Sequence, residues 1–351
     1  MNTFAGSAIL SIKDVAKAAR VSHPTVSRAL RNSRLVKPET AERIQRIARE
    51  MGYRPSAVAR SLVTRRTETI GVVVTNIADP FVAGVVAGIE DVANQRGYSV
   101  FLANSNADSE REVKVVQSFH ERRVDGIVVT ASRVGALYIP MLARMKVPIV
   151  LIDNQHPGEF VHSVMIDNVP ASRHATQHLI DLGHRRIAYL GDQFGFQSDM
   201  DRFSGYRQAL QRADLPFLPE LVVHGNGSAD GGIRAMNTLL ALEQRPSAVF
   251  CYNDMSALGA LRALYDNGLR VPEDLSLVGF DDLPIASYMF PRLTTVRQPK
   301  EQMGRMAMES LLKILDGTSA KTNIDVEGEL IVRDSSGPPR QSRESGSSAI
   351  S

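Results

Sequence analysis

Residues 11–30 read SIKDVAKAARVSHPTVSRAL and contain the start signals of two short helices. Ser11 is followed three residues later by Asp14, the pattern of a capping box, which predicts a helix immediately after the serine. Ser22 repeats the cap signal and predicts a second helix after a short turn. A third helix is predicted over 38–52, between a proline and a glycine. Two short helices joined by a tight turn and closed by a third are typical of a helix-turn-helix domain.

The net charge of the N-terminal region is opposite in sign to that of the rest of the chain. Residues 1–66 carry fourteen Lys or Arg residues and four acidic residues, a net charge of +10, whereas the remainder carries −7 within a total of +3. A dense basic block joined to a mildly acidic body predicts that one small domain contacts a polyanion, and nucleic acid is the first candidate. An ordinary solvated helical surface is the alternative interpretation of the charge alone.

From residue 69 onward the pattern changes to that of an α/β chain. Short Val- and Ile-rich runs alternate with helical stretches, and they lie at 70–74, 98–102, 126–129, 149–152, 187–190, 248–251 and 275–278. Continuous apolar runs of this kind are typical of parallel strands with helices on both faces. Roughly 265 residues of this pattern suit two doubly wound subdomains, in which ligands bind beyond the carboxyl ends of the strands.

Composition excludes several classes of protein. The chain is 43% apolar and 23% charged, which is typical of a soluble globular protein. Its single cysteine, Cys251, predicts neither an intrachain disulfide nor a cysteine metal site. No apolar run has the length of a membrane span and the N-terminus lacks a signal-peptide pattern, so we expect a cytoplasmic protein. His174 and His178 are one helical turn apart, but Ala175 stands where a zinc motif needs Glu, and we expect no metal and no cofactor.

Several motifs, in this order along residues 11–333, resemble the lactose-repressor/galactose-repressor family of bacterial transcription regulators. Besides the opening stretch they are KPETAERI, MGYRPSAVARSL, RRVDGIVV, CYNDMSALGALRAL, VPEDLSLVGFDDL and PRLTTVRQP. The resemblance implies an N-terminal all-α helix-turn-helix domain and an α/β periplasmic-binding-protein-like body of two doubly wound parallel-sheet subdomains. It also implies a homodimer that binds double-stranded operator DNA.

The resemblance assigns DNA contacts to the second helix and to a hinge. Arg28 can form a bidentate pair with guanine, whereas Pro24 offers a base only apolar contact, so the operator sequence is not predicted. In the family, a leucine matching Leu62 in the hinge segment 56–62 wedges into the minor groove. The complete set of expected DNA-binding residues is Ser22, His23, Pro24, Thr25, Ser27, Arg28, Arg31, Tyr53, Ala59 and Leu62.

The resemblance also assigns seven effector-binding residues, at strand ends and helix starts. They are Asp79, Phe81, Asp153, Arg202, Asn253, Asp281 and Gln298. Carboxylates, amides and a guanidinium can pair with sugar hydroxyls, and the phenyl ring offers a flat apolar face to sugar C–H groups. A small sugar or sugar derivative is therefore the expected effector. A purine co-repressor, also known in the family, is the alternative.

The expected domains follow from these patterns. Residues 1–10 are a disordered N-terminus, 11–55 the DNA-binding domain, 56–67 the hinge and linker, 68–333 the effector and dimerisation domain, and 334–351 a disordered Ser/Gly/Pro-rich tail. Within the body we expect an N-subdomain of about 68–165 and 295–325 and a C-subdomain of about 166–293. A solute-binding protein would need a signal peptide, and an enzyme would need a catalytic constellation that the sequence does not display. The predicted function is therefore a ligand-responsive repressor and not an enzyme.

Overall fold

The computed structural model describes residues 10–53, 66–132, 144–145, 147–153, 162–318 and 322–340. The chain divides into two compact units, Met1–Thr67 and Glu68–Ser351. Within the described ranges, every helix is too short or too polar to span a bilayer. The predicted hinge residues Ala59 and Leu62 lie outside the described residues.

Three helices form the first unit, namely α1 (Ile12–Ala19), α2 (His23–Ala29) and α3 (Pro38–Glu50). The carboxylate of Asp14 accepts hydrogen bonds from the backbone N and the Oγ of Ser11, at 2.9 and 2.7 Å, so α1 begins where the sequence predicts. Val15, Val26 and Ile44 are fully buried at the centre of the core that the three helices share. The predicted helix-turn-helix is therefore present.

The second unit contains twelve strands and eight α-helices among its described residues. The strands are β1 (Thr69–Val74), β2 (Ser99–Asn104), β3 (Gly126–Thr130), β4 (Ile149–Ile152), β5 (His162–Ile166), β6 (Ile187–Asp192), β7 (Val222–Gly225), β8 (Ala248–Cys251), β9 (Ser276–Asp281), β10 (Thr294–Arg297), β11 (Thr322–Val326) and β12 (Glu329–Ile331). The helices are α4 (Pro80–Gln95), α5 (Ser109–Glu121), α6 (Asn168–Asp181), α7 (Gln197–Arg212), α8 (Ala229–Leu240), α9 (Asp254–Asp266), α10 (Pro284–Tyr288) and α11 (Lys300–Leu315).

The strands form two six-stranded sheets, one in each subdomain. The order is β11-β5-β4-β3-β1-β2 in the first and β12-β10-β9-β8-β6-β7 in the second. Every pairing is parallel except that of β10 with β12. Central strands such as β3 are buried along their whole length because helices cover both faces of the sheet. The predicted pair of doubly wound subdomains is therefore confirmed.

Helices α4 and α11 pack unusually close together on the first sheet. A Cβ atom on Gly88 would overlap the carbonyl oxygen of Glu301, and a Cβ atom on Gly304 would overlap that of Val85. Only glycine at both positions permits this approach of the two backbones. The contact fixes α11, which the chain reaches only after building most of the second sheet, to the first subdomain.

The chain crosses between the sheets three times, after β5, after β10 and after β11. Two of the crossings meet in space, because the backbone N of Asp167 donates to the carbonyl of Val326 at 3.0 Å. The boundary predicted at about residue 295 falls inside β10, which pairs with β9 and belongs to the second sheet, so the crossing comes after Arg297. Two buried threonines, Thr294 and Thr295, obscured this strand in the sequence, and their hydroxyls are hydrogen-bonded.

The predicted start of the disordered tail at residue 334 is also wrong, because residues 334–340 pack on the second subdomain. Ser335 is 1% exposed; its Oγ donates to the carbonyl of Leu277 at 2.7 Å and accepts from the backbone N of Thr294 at 2.8 Å. The serines that suggest disorder thus satisfy backbone groups near the starts of two strands. We call residues 334–340 the C-terminal strap. Residues 341–351 lie outside the described part of the chain.

Candidate functional site

The second helix of the first unit presents a polar edge to solvent. Ser22, His23, Pro24 and Arg28 are exposed, while Thr25 and Ser27 are half-buried. The opposite side of the helix carries the buried Val26 and Ala29. Ser22 and Thr25 share a hydrogen bond of 2.8 Å between their hydroxyls. The predicted base-reading residues are therefore brought together on one accessible helix edge.

The two arginines of this region differ in their surroundings. Arg31 folds back along α2, with Nε 3.1 Å from the carbonyl of Ser27 and an Nη 3.1 Å from its hydroxyl. The exposed side chain of Arg28 makes no hydrogen bond or ion pair with any residue that the structure describes. Its guanidinium can extend toward a ligand without breaking an existing contact, whereas Arg31 must first leave Ser27.

Tyr53 and Gln45 serve the packing of the helices. Tyr53 is half-buried against the core of the three helices, and burial raises the pKa of its phenol. The amide of Gln45, which the sequence reasoning missed, donates to the carbonyl of Ala29 at 3.0 Å and to Oδ1 of Asn32 at 2.7 Å. It ties α3 to the carboxyl end of α2 and so fixes the exposed edge. No sequence signal distinguishes this glutamine from a surface residue.

A cavity of about 580 Å³ in the second unit is lined by loops from both sheets. All seven residues predicted to bind the effector line it: Asp79, Phe81, Asp153, Arg202, Asn253, Asp281 and Gln298. They come from the carboxyl ends of the strands and from the helix starts that follow them, which is where this fold binds ligands. The structure thus brings the whole predicted set together.

Arg202 is the buried centre of the cavity wall. It is 4% exposed, its Nε donates to Oδ1 of Asn168 at 2.9 Å, and Nη1 donates to the carbonyl of Tyr252 at 2.7 Å. The guanidinium lies over the ring of Phe280, 3.8 Å from the centroid. Burial lowers its pKa, but the nearby Tyr252, Asp281 and other acidic groups more than offset this effect and raise it. The guanidinium is therefore held rigidly and always charged.

Asp281 lies at the end of β9 in a strained conformation. Its φ of 114° is rare for a residue with a side chain, and such strain is typical of ligand sites. The Nε2 of Gln298 donates to its Oδ1 at 2.5 Å. Burial raises the pKa of Asp281 well above its usual range, and Arg202 opposes the shift. This carboxyl joins the end of β9 to the crossing segment that carries Gln298.

Three of the cavity residues also cap helices. Oδ1 of Asp79 accepts from the backbone N of Phe81 at 2.9 Å at the start of α4. Oδ1 of Asn253 accepts from Ser256 N at 2.8 Å at the start of α9. The hydroxyl of Ser228, which is not among the predicted effector-binding residues, accepts from Gly231 N at 3.2 Å at the start of α8. Each cap fixes its side chain at the cavity wall and satisfies one helix N–H.

Asp254, next to the cap Asn253, is fully buried below the cavity. Its Oδ1 accepts from the hydroxyl of Thr295 at 2.5 Å, and its Oδ2 accepts from the backbone N of Leu283 at 2.7 Å. Burial raises the pKa of this carboxyl to about 7. It links the start of α9 to β10 and to the segment that follows β9, so it supports the cavity wall without lining it.

The cavity has several aromatic residues, of which the sequence analysis predicted only Phe81. Phe194 and Phe196 both line it, and their rings meet edge to face with centroids 6.2 Å apart. Phe81 and Tyr252 line the same cavity. The run FGF directly after a strand was the available signal, but without the fold it resembles any loop. The cavity therefore offers both polar groups and flat apolar faces.

Comparison with known proteins places these features in a family. Residues 11–56 match the family model described as "Bacterial regulatory proteins, lacI family", and residues 176–336 match "Periplasmic binding protein-like domain". "HTH-type transcriptional repressor PurR" of Vibrio campbellii is 38% identical over 326 residues, which cover 92% of this chain and 97% of that protein.

Two solved structures extend the comparison to the fold. The lac repressor dimer bound to operator and the anti-inducer ONPF has a TM-score of 0.87 at 29% identity, covering 94% of this chain and 100% of that one. The complex of the transcriptional regulator CelR with cellobiose has a TM-score of 0.71 at 34% identity, covering 93% and 99%. The chain therefore belongs to the lacI family of bacterial regulatory proteins.

Proposed function

We propose that this protein is a repressor of transcription whose affinity for a pseudo-palindromic operator is controlled by a small sugar or sugar derivative. The observation that carries the proposal is the convergence of seven side chains, predicted as sugar ligands, on one cavity between two sheets. The polar edge of α2, with the exposed Arg28, supports DNA binding. The solved relative that holds cellobiose supports a sugar as the effector class.

The three crossings between the sheets supply a physical route for control. A ligand that contacts Arg202 on one side and Asp79 on the other must favour one arrangement of the two subdomains over another. Asn168 is the first residue of α6, immediately after the first crossing, and its side chain accepts a hydrogen bond from Arg202. Ligand binding and the arrangement of the crossings are thereby linked, and such coupling is reciprocal, typically ~1–3 kcal/mol.

We also propose that the protein acts as a homodimer. Phe290 is 97% exposed and Tyr288 is 82% exposed, on the segment around α10. Phe101 and Leu102 are exposed on β2, an edge strand. Apolar side chains this exposed are typical of surfaces that another protein covers. Phe290→Asp is expected to shift the sedimentation coefficient toward that of a monomer, and Phe217→Asp, at a different exposed phenylalanine, is the control.

The test of ligand control uses operator DNA selected from a random pool with the protein itself. The operator is titrated with wild type and with Arg202→Ala in the presence of pentoses, hexoses, disaccharides, sugar acids and purines. Arg207→Ala, on the exposed side of the same helix α7, is the matched control. We expect one sugar to change operator affinity in wild type and in the control but not in Arg202→Ala. A panel without any effect on operator affinity would refute the proposal.

A purine-responsive regulator of the same fold is the second candidate. Phe81, Phe194 and Phe196 give the cavity flat faces on which a purine could stack, and the relatives include repressors named PurR. The same titration distinguishes the candidates, because a purine and not a sugar would then shift operator affinity. The direction of the change in operator affinity also distinguishes an inducer, which weakens operator binding, from a co-repressor, which strengthens it.

A further inference from the structure

The wall of the cavity is unbalanced in charge. Four carboxyl groups line it among the described residues, those of Asp79, Asp153, Asp192 and Asp281. The same part of the chain contributes a single cationic side chain to the lining, that of Arg202. A ligand in the cavity therefore meets more carboxyl groups than cationic groups.

The guanidinium of Arg202 is already balanced by the protein. Two of its nitrogens bond to Asn168 and to the carbonyl of Tyr252, and Asp281 and Asp153 are close enough to affect its pKa. Its N–H groups can still donate to a neutral hydroxyl. Its positive charge, however, is not in excess, so it offers little compensation to a second anion.

The helix starts around the cavity do not supply the missing positive charge. A helix N-terminus attracts anions through unpaired N–H groups. At α4, α8 and α9, one of these groups is taken by the side chains of Asp79, Ser228 and Asn253. The first turn of α7 contains the buried Asp199, whose carboxylate accepts from the backbone N of Asp192 at 3.1 Å. The protein's own acceptors therefore already take one N–H group at three of these helix starts, and a carboxyl group already lies in the first turn of the fourth helix.

The cavity already disfavours negative charge on its own groups. Burial raises the pKa of Asp153 and of Asp281, and the neighbouring carboxyls Asp254 and Asp79 raise that of Asp281 further. An anionic ligand would lose its hydration and face the same carboxyls. A sugar hydroxyl instead donates to them without adding charge.

We infer that the cavity selects an uncharged, hydroxyl-bearing ligand, tolerates a cationic one and rejects anions, including sugar phosphates, sugar acids and nucleotides. The inference rests on the proposed function, because it concerns the effector of the same cavity. It narrows the effector to the class that carries several hydroxyl donors and no phosphate or carboxylate.

The experiment compares matched ligands by calorimetry on the full chain without DNA. The series are glucose, glucosamine, gluconate and glucose 6-phosphate; ribose and ribose 5-phosphate; cellobiose and cellobionate; and adenosine and AMP. The uncharged member of at least one series is expected to bind, and its anionic counterpart to bind at least about a hundredfold more weakly. An anion that binds as tightly as its neutral parent overturns the inference, and so does the failure of every uncharged and cationic ligand to bind.

Two variants test whether the carboxyls cause the rejection. Asp153→Asn removes an ionisable carboxyl group at a φ of 53°, which asparagine readily adopts, and Asp79→Asn keeps a side chain that can cap α4. Each is expected to reduce the difference between an anion and its neutral parent about tenfold. Asp214→Asn is the control, since this exposed aspartate has a φ of 52° and lies outside the cavity lining. Unchanged discrimination in both cavity variants would overturn the inference.

These outcomes are separable from those of the proposed function. An uncharged sugar that binds in calorimetry but leaves operator affinity unchanged would refute ligand control while supporting the selection of uncharged ligands. An anion that binds the cavity and shifts operator affinity would support control and overturn the inference.

Discussion

Individual side chains in the cavity perform two tasks at once. Asp79 and Asn253 cap helices and also line the cavity, and Asp281 pairs with Gln298 while its backbone is strained. The family resemblance could place these residues, and their positions agree with it because strand ends and helix starts converge in this fold. It could not reveal Asn168 or Tyr252, which orient Arg202 through contacts that only the folded chain brings together.

Asp254 is expected to make stability depend on pH. Its pKa is about 7 in the folded chain against an ordinary value of 3.8, so the folded state binds a proton that the unfolded state releases. The corresponding stability is fully present below pH 3.8 and is lost as pH rises through about 7. Asp254→Asn carries no such proton. The unfolding free energy of wild type minus that of the variant should therefore fall between pH 4 and 7, by up to ~1.4 kcal/mol per pH unit. Parallel pH profiles from chemical denaturation would contradict this assignment.

Arg28 and Arg31 are expected to differ in what they recognise. Arg28→Ala should cost about 1–3 kcal/mol on the operator and relax the preference at one base pair of each half-site. Arg31→Ala should weaken binding to all sequences alike, because this residue is expected to contact phosphate. Selection of operators from random DNA with each variant, followed by binding titrations, measures both effects. Equal losses on operator and random DNA for both variants would show that the two roles are wrongly assigned.

At the level of elements, apolar strands were easier to predict than polar ones. All seven apolar runs correspond to strands, from β1 to β9, with small differences at their ends. The strands that escaped prediction include β10, β11 and β12, which are short and rich in Thr, Asn, Asp or Glu. Each of them is held by pairing with a neighbouring strand, and β10 is held also by the hydroxyl hydrogen bonds of Thr294 and Thr295. Neither kind of contact leaves a hydrophobic period in the sequence.

The C-terminal strap is expected to stabilise the second sheet through Ser335. Ser335→Ala leaves the carbonyl of Leu277 and the N–H of Thr294 without the partner they have in the structure, which should lower the unfolding free energy by about 2 kcal/mol. Arg340→Ala, which removes an exposed ion pair with Asp274, is the control and should change it by less than ~1 kcal/mol. Denaturant titration of the full chain compares the two. Similar values for both variants would mean that the strap is not anchored by the serine.

On the scale of the whole molecule, the sequence predicts two functions in separate units. The helix-turn-helix and the two doubly wound subdomains follow from helix caps, charge and strand periodicity. The points at which the chain crosses between subdomains do not, because a crossing depends on which sheet accepts a strand. That is why the boundary near residue 295 was misplaced.

The charge division predicts a steep dependence of DNA binding on salt. Residues 1–66 carry fourteen cations, and if about a third of them contact phosphates, affinity should fall roughly 10³-fold or more between 50 and 200 mM salt. Filter binding or anisotropy at several salt concentrations measures the slope. A nearly flat slope would contradict the proposed electrostatic contact. The second unit carries net negative charge, so adding or removing the effector should leave the slope of DNA affinity against salt concentration unchanged.

During translation, residues 322–331, which form β11 and β12, leave the ribosome after all the preceding strands of the body. Until then, β5 is an unpaired edge of one sheet and β10 an unpaired edge of the other. A nascent chain that has emerged as far as Leu315 thus exposes two open edges, each able to pair with a foreign strand. This one ten-residue stretch then adds the last strand to both lobes. The two lobes therefore cannot finish folding one after the other, as independent domains that are synthesised in sequence do.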